Sequence, residues 1–286
     1  MSKLNWEKDA ESITQSHFSA INAINLELFR IIKEHTDKVM PVLPIIEYII
    51  ARIEAVTLLT LNGSLWDADI IVRSALETLT KFMLIADSVK SEQEVLLREY
   101  WKDLSEIYSI KLSEQAKKNL VYTSESEIHR LAYLPLVLSE EEELRLKTKW
   151  PKAIRTRLEQ KWSFSGIIAF LSTKYKGETL ESMAFLTQSY RISSHIAHGD
   201  EIGISMITER KSRNDKERNE VHIAHYLRLL MDCVSVCMIT AVQTMMFLGL
   251  NFKFFTDIFD SMKEISALID DHQRMPFEDA IYNKFR

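Results

Sequence analysis

The sequence predicts an all-α fold, a multi-helix bundle built from long antiparallel helices. Apolar residues return every three or four positions along most of the chain, as they do on one face of an α-helix. Only 6 Gly and 5 Pro occur among 286 residues, so few positions interrupt long helices. Strand-like alternation is confined to Ile202, Ile204 and Met206, a run too short to stand alone.

Three helices are predicted in the first third of the chain. The first spans about residues 7–35, where the apolar positions keep helical spacing. The second ends at Asn62-Gly63, because glycine readily adopts the left-handed conformation that stops a helix. Ser64 is then the expected N-cap of the third helix, with Asp67 in its first turn.

Later helix starts are indicated by serine followed three residues on by glutamate, the pattern in which each side chain caps free backbone amides. This pattern occurs at Ser91, Ser124 and Ser139. Further helices are predicted at about 163–175, 179–198, 217–250 and 254–271, with Gly199 ending the second of these. The basic segment 210–218 is interpreted as a flexible loop.

The chain is expected to form a single helical domain, residues 1–286. No internal repeat or low-complexity linker divides it. The helical core is assigned to about residues 45–119 and 163–250. Residues 120–162 are the expected insertion, because they combine an acidic run, prolines and short predicted helices.

Composition excludes several classes of function. A net charge of −5 gives no general attraction for nucleic acid, so a polyanion would need a local basic surface. The sequence lacks a phosphate-binding glycine loop and a CxxC pair, which removes support for kinases, dinucleotide-binding enzymes and zinc ribbons. The only two cysteines, Cys233 and Cys237, fit a reducing compartment. With no export signal visible, we expect a cytoplasmic protein.

The segment 229–250 is long and apolar enough to raise the question of a membrane span. It nevertheless contains Asp232, Gln243 and other polar residues, which would each need a hydrogen-bond partner in lipid. We therefore expect a helix at the centre of a soluble bundle and no membrane partner.

The densest group of reactive side chains lies between Arg191 and Gly199. Arg191 and His198 are seven residues apart, which is two helical turns, so they lie on one side of the helix. Ser194 and His195 lie between them on or near that side. A guanidinium can bind a phosphate and an imidazole can transfer a proton near neutral pH, so this face is the candidate active site.

Arginine followed after six residues by histidine resembles the Arg-x(4–6)-His motif of HEPN domains, the higher eukaryote and prokaryote nucleotide-binding helical bundles. Many HEPN proteins are metal-independent ribonucleases of toxin–antitoxin or antiphage systems, and they act as dimers. The resemblance implies an RNA substrate, a homodimer, a partner protein or antitoxin, and no cofactor. It makes Arg191 a phosphate clamp and His198 the acid or base for attack by the ribose 2′-hydroxyl.

A second resemblance is to an uncharacterised bacterial family with two motifs more than a hundred residues apart. Arg-Ser-x-x-Glu is matched here at Arg73, Ser74 and Glu77, and Tyr-x-x-x-Ser-x-x-x-His-Gly at Tyr190, Ser194, His198 and Gly199. The similarity covers about residues 45–250 and implies no activity.

Both groups of residues also have structural interpretations. Arg73 and Glu77, one turn apart, could form an ion pair within their helix, or Glu77 could orient His198 or Arg191. Arg191 and His198 could catalyse RNA cleavage, form a hydrogen-bonded helix end, or bind a nucleotide without turnover. Spacing alone leaves these alternatives open.

The strongest basic segment lies between residues 145 and 162. Cations interleaved with tryptophan suit single-stranded nucleic acid, since the charges meet phosphates and the rings stack on bases. The alternative is a solvated face that balances the acidic run Glu140–Glu143. The candidate RNA-binding residues are Lys147, Lys149, Trp150, Lys152, Arg155, Arg157 and Lys161.

His222 and His225 have a spacing that can place two imidazoles on one metal ion. The sequence offers no third ligand beside them, and we expect no metal site.

Overall fold

The computed structural model describes residues 6–123, 127–176 and 186–251 of the chain. These residues form helices, turns and short connections, and no β-strand occurs among them. The predicted all-α, multi-helix fold is therefore confirmed. The predicted helix 254–271, the start at Ser124 and the first part of the helix predicted at 179–198 lie outside the described residues.

The described α-helices, in chain order, are α1 (Trp6–Glu34), α2 (Thr36–Val39), α3 (Leu43–Leu61), α4 (Leu65–Ala86), α5 (Lys90–Arg98), α6 (Leu104–Tyr122), α7 (Glu127–Tyr133), α8 (Glu140–Lys149), α9 (Lys152–Lys161), α10 (Phe164–Lys174), α11 (Leu186–His198), α12 (Glu201–Ser212) and α13 (Asp215–Leu248). A π-helical turn, Glu99–Asp103, joins α5 to α6, and a 3₁₀ turn, Leu134–Leu136, follows α7.

The chain divides into two compact units. The first contains residues 1–87 and 171–286, and the second contains residues 88–170. The segment 120–162, predicted as an insertion, falls within the second unit, which begins earlier and ends later than that prediction.

Helix α13 is the core helix of the first unit, and it packs against α1, α3 and α4. Its side facing these helices is apolar, with Leu229, Leu230 and Ala241 fully buried. Burying such side chains stabilises the fold by roughly 1.5–3 kcal/mol for each leucine. Helix α11 packs against α12 and against α4, one of the helices of this core, so the candidate active site lies beside the core.

Helices α3 and α4 form an antiparallel hairpin around a short turn. Gly63 in this turn has φ +76°, a left-handed conformation that residues with a Cβ rarely adopt. Ser64 occupies the N-cap of α4 as predicted, but its hydroxyl makes no capping hydrogen bond. The helix stop predicted at Asn62-Gly63 is confirmed.

The second unit contains one of the predicted serine caps. Ser139 caps α8, and its Oγ accepts a hydrogen bond from the backbone amide of Glu142 at 3.2 Å. A helix begins near Ser91 as predicted, but the capping role predicted for Ser91 is wrong, because α5 begins at Lys90 and its N-cap is Val89. A capping hydroxyl accepts a hydrogen bond from a free amide in the first turn of the helix. Ser91 is the second residue of α5, so the amide three residues later is not placed for this hydrogen bond.

Residues 210–218, predicted as a flexible loop, are helical except at Arg213 and Asn214. Residues Glu201–Ser212 form α12, which Asp200 caps by accepting from the amide of Gly203. Residues 210–218 therefore form the end of α12 and the start of α13, since Asn214 caps α13 in the same way. The apolar alternation at Ile202 and Ile204 gives two exposed side chains on α12.

Among the described helices, α13 alone has the length and apolarity of a membrane span, and 67% of its apolar window is buried within the fold. Several of its polar residues have partners there, whereas the buried Oε1 of Gln243 has no hydrogen-bond partner among the described residues. Asp232 pairs with Arg228 at 2.8 Å, and the hydroxyls of Thr240 and Thr244 donate to carbonyls one turn earlier.

Candidate active site

The end of α11 is fixed by a tight connection to α12. Gly199 ends the helix as predicted, with φ +57°. Gly203 lies against the last turn of α11, and a Cβ there would be 2.4 Å from the carbonyl oxygen of His195. Only glycine permits this approach without displacing one helix. The first turn of α12 therefore lies directly beside the histidines of α11.

Helix α11 has a buried side and an exposed side. Ser193 and Ile196 are buried, whereas Arg191 and His198 are exposed. Ser194 and His195 are half-buried between them. The helix therefore presents Arg191, Ser194, His195 and His198 along one side, as the sequence predicts.

Arg191 and His198 are available to a ligand. Neither forms a hydrogen bond or an ion pair with another residue in the described parts of the chain. An exposed guanidinium and an exposed imidazole two turns apart can engage one anionic group, because no carboxylate of the described residues is paired with either side chain.

His195 has a carboxylate partner that sequence reasoning missed. Its Nδ1 lies 2.7 Å from Oδ2 of Asp200, and Oδ1 of the same carboxylate accepts from the amide of Gly203 at 3.1 Å. The hydrogen bond from His195, followed by that from Gly203, lowers the pKa of Asp200. An aspartate after a helix-ending glycine, three residues before another glycine, is the N-cap signal that could have identified it.

Arg73 and Glu77 both form hydrogen bonds with the hydroxyl of Tyr190. Arg73 Nη2 donates to Tyr190 Oη at 3.0 Å, and Tyr190 Oη donates to Glu77 Oε1 at 2.7 Å. Arg73 and Glu77 also form the ion pair considered from sequence, at 3.1 Å. The Arg73 guanidinium lies 4.6 Å from the centre of the Tyr190 ring. These contacts join α4 to α11.

This cluster changes the role expected of Glu77. We predicted that Glu77 could orient His198 or Arg191, but within the described structure it contacts neither and holds Tyr190 instead. Burial, followed by the hydrogen bond to Glu77, raises the pKa of Tyr190. Burial alone would lower the pKa of Arg73, but its contacts with Tyr190 and Glu77 outweigh that effect and raise it.

Most cations of the basic segment between residues 145 and 162 are paired with carboxylates of the second unit. Lys149 and Trp150 both bind Glu106 Oε2, at 2.6 Å each. Lys161 and Trp162 bind Glu99 Oε2 in the same way, at 2.6 and 2.9 Å. A lysine and the tryptophan that follows it thus bind one glutamate at two places in the second unit. The two Lys-Trp pairs are twelve residues apart, and their glutamates are seven residues apart.

The remaining basic residues divide into paired and unpaired groups. Lys147 pairs with Glu143 at 2.6 Å and with Glu114 at 3.1 Å. Lys152 and Arg157 are exposed and have no partner among the described residues, and Arg155 is half-buried. The face is therefore largely charge-balanced, as the alternative interpretation expected, with two cations left for an anion.

A buried polar network in the first unit was not anticipated. Asp69 on α4 accepts from His225 Nε2 at 2.7 Å and from Arg228 Nη2. Arg210 on α12 donates to His225 Nδ1 at 2.6 Å, so the neutral imidazole carries its proton on Nε2. Arg228 continues the network to Asp232 at 2.8 Å.

The charges of two carboxylates and two guanidiniums offset one another in this network. Burial would raise the pKa of Asp69, but His225 and Arg228 outweigh it and lower that pKa. Burial lowers the pKa of Arg210 to about 10, which leaves it charged at neutral pH. The Arg210 guanidinium also covers the Trp66 ring at 4.1 Å. The signal in the sequence was His225, Arg228 and Asp232 at helical spacing within an apolar helix.

The histidine pair considered for metal binding is divided between two environments. His225 is buried with both ring nitrogens engaged, whereas His222 is exposed. The described residues contain no group of three or more His, Cys, Asp or Glu side chains that could hold a metal ion.

No family model, curated protein or solved structure matches the chain. The class of the protein therefore rests on its own fold and chemistry. It is an all-α helical protein whose candidate site is a solvent-facing arginine and two histidines on one helix.

Proposed function

We propose that the protein is a HEPN-like, metal-independent ribonuclease that acts through Arg191 and His198. The observation that carries this proposal is the exposed side of α11, where both side chains face solvent without a competing partner among the described residues. A nuclease of this kind needs a cation to stabilise the charge of the phosphate and a group that transfers protons. The proposal also includes a cytoplasmic location, with α13 as a core helix.

The reaction is a transesterification that requires only protein side chains. The ribose O2′ attacks the adjacent phosphorus after losing its proton to a base, and the P–O5′ bond breaks as O5′ gains a proton. The products are a 2′,3′-cyclic phosphate and a 5′-hydroxyl end. Arg191 would bind the non-bridging oxygens, where negative charge increases in the transition state.

The second unit has its own candidate RNA-binding residues, Lys152 and Arg157, which are exposed and have no partner among the described residues. Lys149 is a matched comparison, because its ammonium is already paired with Glu106. Replacing Arg157 with alanine is expected to raise the RNA concentration needed for half-maximal binding, and replacing Lys149 is not.

The test is cleavage of labelled RNA in EDTA by wild type, Arg191→Ala, His198→Ala and His222→Ala. His222 is an exposed histidine on α13 and serves as the control. Wild type and His222→Ala are expected to release fragments with cyclic phosphate ends. The His198→Ala rate should fall about 100-fold or more. Equal cleavage by all four proteins, or none by wild type, would contradict the proposal.

The second candidate is a non-catalytic helical interaction or nucleotide-binding module. It is favoured by the cluster of Arg73, Glu77 and Tyr190, whose hydrogen bonds and ion pair join two helices. A folded wild-type protein that cleaves no RNA would support this candidate.

The HEPN resemblance further implies a dimer and a partner protein or antitoxin. Light scattering coupled to gel filtration tests the dimer directly. A monomer at every concentration tested would contradict the dimer and would exclude a site composed of two copies.

A further inference from the structure

The connection between α11 and α12 holds an imidazole in a defined orientation. Asp200 is tied to the first turn of α12 through Gly203, and its second oxygen faces His195 Nδ1 at 2.7 Å. Gly203 permits this close spacing, since a Cβ at that position would collide with the carbonyl of His195. The imidazole and its carboxylate are therefore fixed by backbone geometry as well as by their hydrogen bond.

This geometry selects one tautomer of neutral His195. An ionised carboxylate only accepts hydrogen bonds, so Nδ1 must carry the proton. The lone pair is then on Nε2, and no described residue hydrogen-bonds that atom. The side chain of His195 is 35% exposed, so part of the imidazole faces solvent.

We infer that His195, oriented by Asp200, is the general base of the proposed ribonuclease, and that His198 is its general acid. This inference rests on the proposed function and assigns roles within it. Asp200 is a positioning residue, because it acts through His195.

The carboxylate distinguishes the two histidines. A base becomes positively charged when it accepts a proton, and an adjacent carboxylate stabilises that imidazolium. His195 has such a partner, whereas His198 has none among the described residues. A general acid starts as an imidazolium and becomes neutral when it donates its proton. A neighbouring carboxylate would stabilise the imidazolium and so would not favour that step. The pairing therefore assigns the base role to His195.

The protons balance over the reaction. His195 Nε2 takes the proton of the 2′-hydroxyl, O2′ bonds to phosphorus, and the P–O5′ bond breaks. His198 gives its proton to O5′, and Arg191 stays on the non-bridging oxygens. Exchange with water then restores both histidines. Residues three apart on a helix have Cβ atoms about 5–6 Å apart, so both imidazoles can reach one phosphodiester.

One chain would thus supply both proton-transfer groups and the phosphate-binding cation. A second copy could stabilise the protein or bind more RNA, but the base, the acid and the arginine would not have to come from different copies. Mixing inactive His195→Ala and His198→Ala proteins is therefore expected to restore no activity.

The decisive variant is Asp200→Asn. Asparagine keeps an oxygen for the amide of Gly203, but it turns its NH₂ group towards His195 Nδ1. Nδ1 must then accept, and the proton moves to Nε2, where it blocks the base. We expect the cleavage rate to fall about 100-fold or more with an unchanged melting temperature. Glu201→Gln removes an adjacent exposed carboxylate and is the matched control.

Nitrogen-15 NMR of the histidine side chains gives a readout that does not depend on activity. Wild-type His195 should show the Nδ1–H tautomer, and Asp200→Asn should show Nε2–H. Wild-type cleavage that Asp200→Asn leaves intact, or an Nε2–H tautomer in wild type, would overturn the inference while the proposed function stands. Absence of cleavage by wild type would overturn both.

Discussion

Tyr190 links two helices through one hydroxyl. That hydroxyl accepts from Arg73 on α4 and donates to Glu77 on the same helix, and the three side chains are partly buried. Because Glu77 and Arg73 keep each other as partners, removing the hydroxyl costs two hydrogen bonds without leaving an isolated charge. The cost should therefore be moderate.

We expect Tyr190→Phe to lower the free energy of unfolding by about 1–3 kcal/mol, since hydrogen bonds to charged groups are worth more than neutral ones. Tyr48→Phe is the matched control, because Tyr48 is exposed and its hydroxyl meets only Ser74, at 2.7 Å. Its cost should stay below about 0.5 kcal/mol. Urea denaturation measures both values. Equal losses would mean that Tyr190 does not join the helices.

His225 should make stability depend on pH. Burial lowers its pKa from the ordinary value, so the folded protein resists protonating it. Above the unfolded pKa, about 6.5, the imidazole is neutral in both states and costs nothing. As the pH falls below that value, the unfolded chain takes up a proton that the folded chain excludes, and stability decreases towards the folded pKa.

The variant that isolates this effect is His225→Gln, which can still donate to Asp69 and accept from Arg210 but does not titrate. Between pH 7 and pH 5 its free energy of unfolding should fall less steeply than that of wild type. The difference in slope can reach about 1.4 kcal/mol per pH unit for one proton. Unfolding curves over that range measure it, and parallel slopes would refute it.

The candidate site was predictable where one helix determines it. The spacing of Arg191, Ser194, His195 and His198 fixes their common side, because helical geometry is local. Contacts between helices were not predictable in this way. The partner of Glu77 depends on how far α11 is rotated about its axis against α4, which sequence spacing does not specify. Asp200 was missed because its role depends on the turn that brings α12 back onto α11.

At the scale of an element, Ser139 and Ser91 provide a direct comparison. The two serines share the same sequence pattern, but only Ser139 accepts from a terminal amide. We expect Ser139→Ala to cost about 1 kcal/mol, the usual loss for a helix N-cap. Ser91→Ala should cost less than about 0.5 kcal/mol, because Ser91 is exposed inside its helix.

Denaturation of the two alanine variants, followed by tryptophan fluorescence, compares these costs. Trp150 and Trp162 lie in the same unit as both serines, so they report its unfolding. A larger loss for Ser91→Ala than for Ser139→Ala would contradict the observed helix starts.

Long helices were predicted well, and short connections poorly. The predicted spans 7–35 and 217–250 agree with α1 and α13 to within about two residues, because many apolar positions support each. Helix α12 was missed because its exposed apolar residues alternate, and its basic residues looked like a loop. Its N-cap, Asp200, and its contact with α11 through Gly203 stabilise it despite that weak pattern.

At the scale of the whole molecule, α13 organises the first unit through both apolar and charged contacts. Its apolar side packs against α1, α3 and α4, and its polar residues extend the network of Asp69 and Arg210. Removing one member of a buried charged network leaves its partner uncompensated, which commonly costs about 3–5 kcal/mol. The position of α13 therefore depends on its packing against α1, α3 and α4 and on this charged network.

Cys233 and Cys237 report on that position. Both are almost fully buried on α13, and burial raises the pKa of Cys237 to about 12 and that of Cys233 above its ordinary range. Only the thiolate reacts with disulfide reagents. In the folded protein, both reagent access and thiolate formation are therefore suppressed, and reaction requires α13 to leave its neighbours.

We expect Ellman's reagent to modify neither cysteine at the rate of a free thiol, and to modify both in concentrated urea. If only global unfolding exposes them, and stability is about 5 kcal/mol, native modification should be slower by more than about three orders of magnitude. Ser235→Cys is the control, because residue 235 is exposed on the same helix and its thiol should react at once. Native Cys233 and Cys237 reacting as fast as that control would show that α13 is not a core helix, since no thiol enclosed by α1, α3 and α4 could meet the reagent without unfolding.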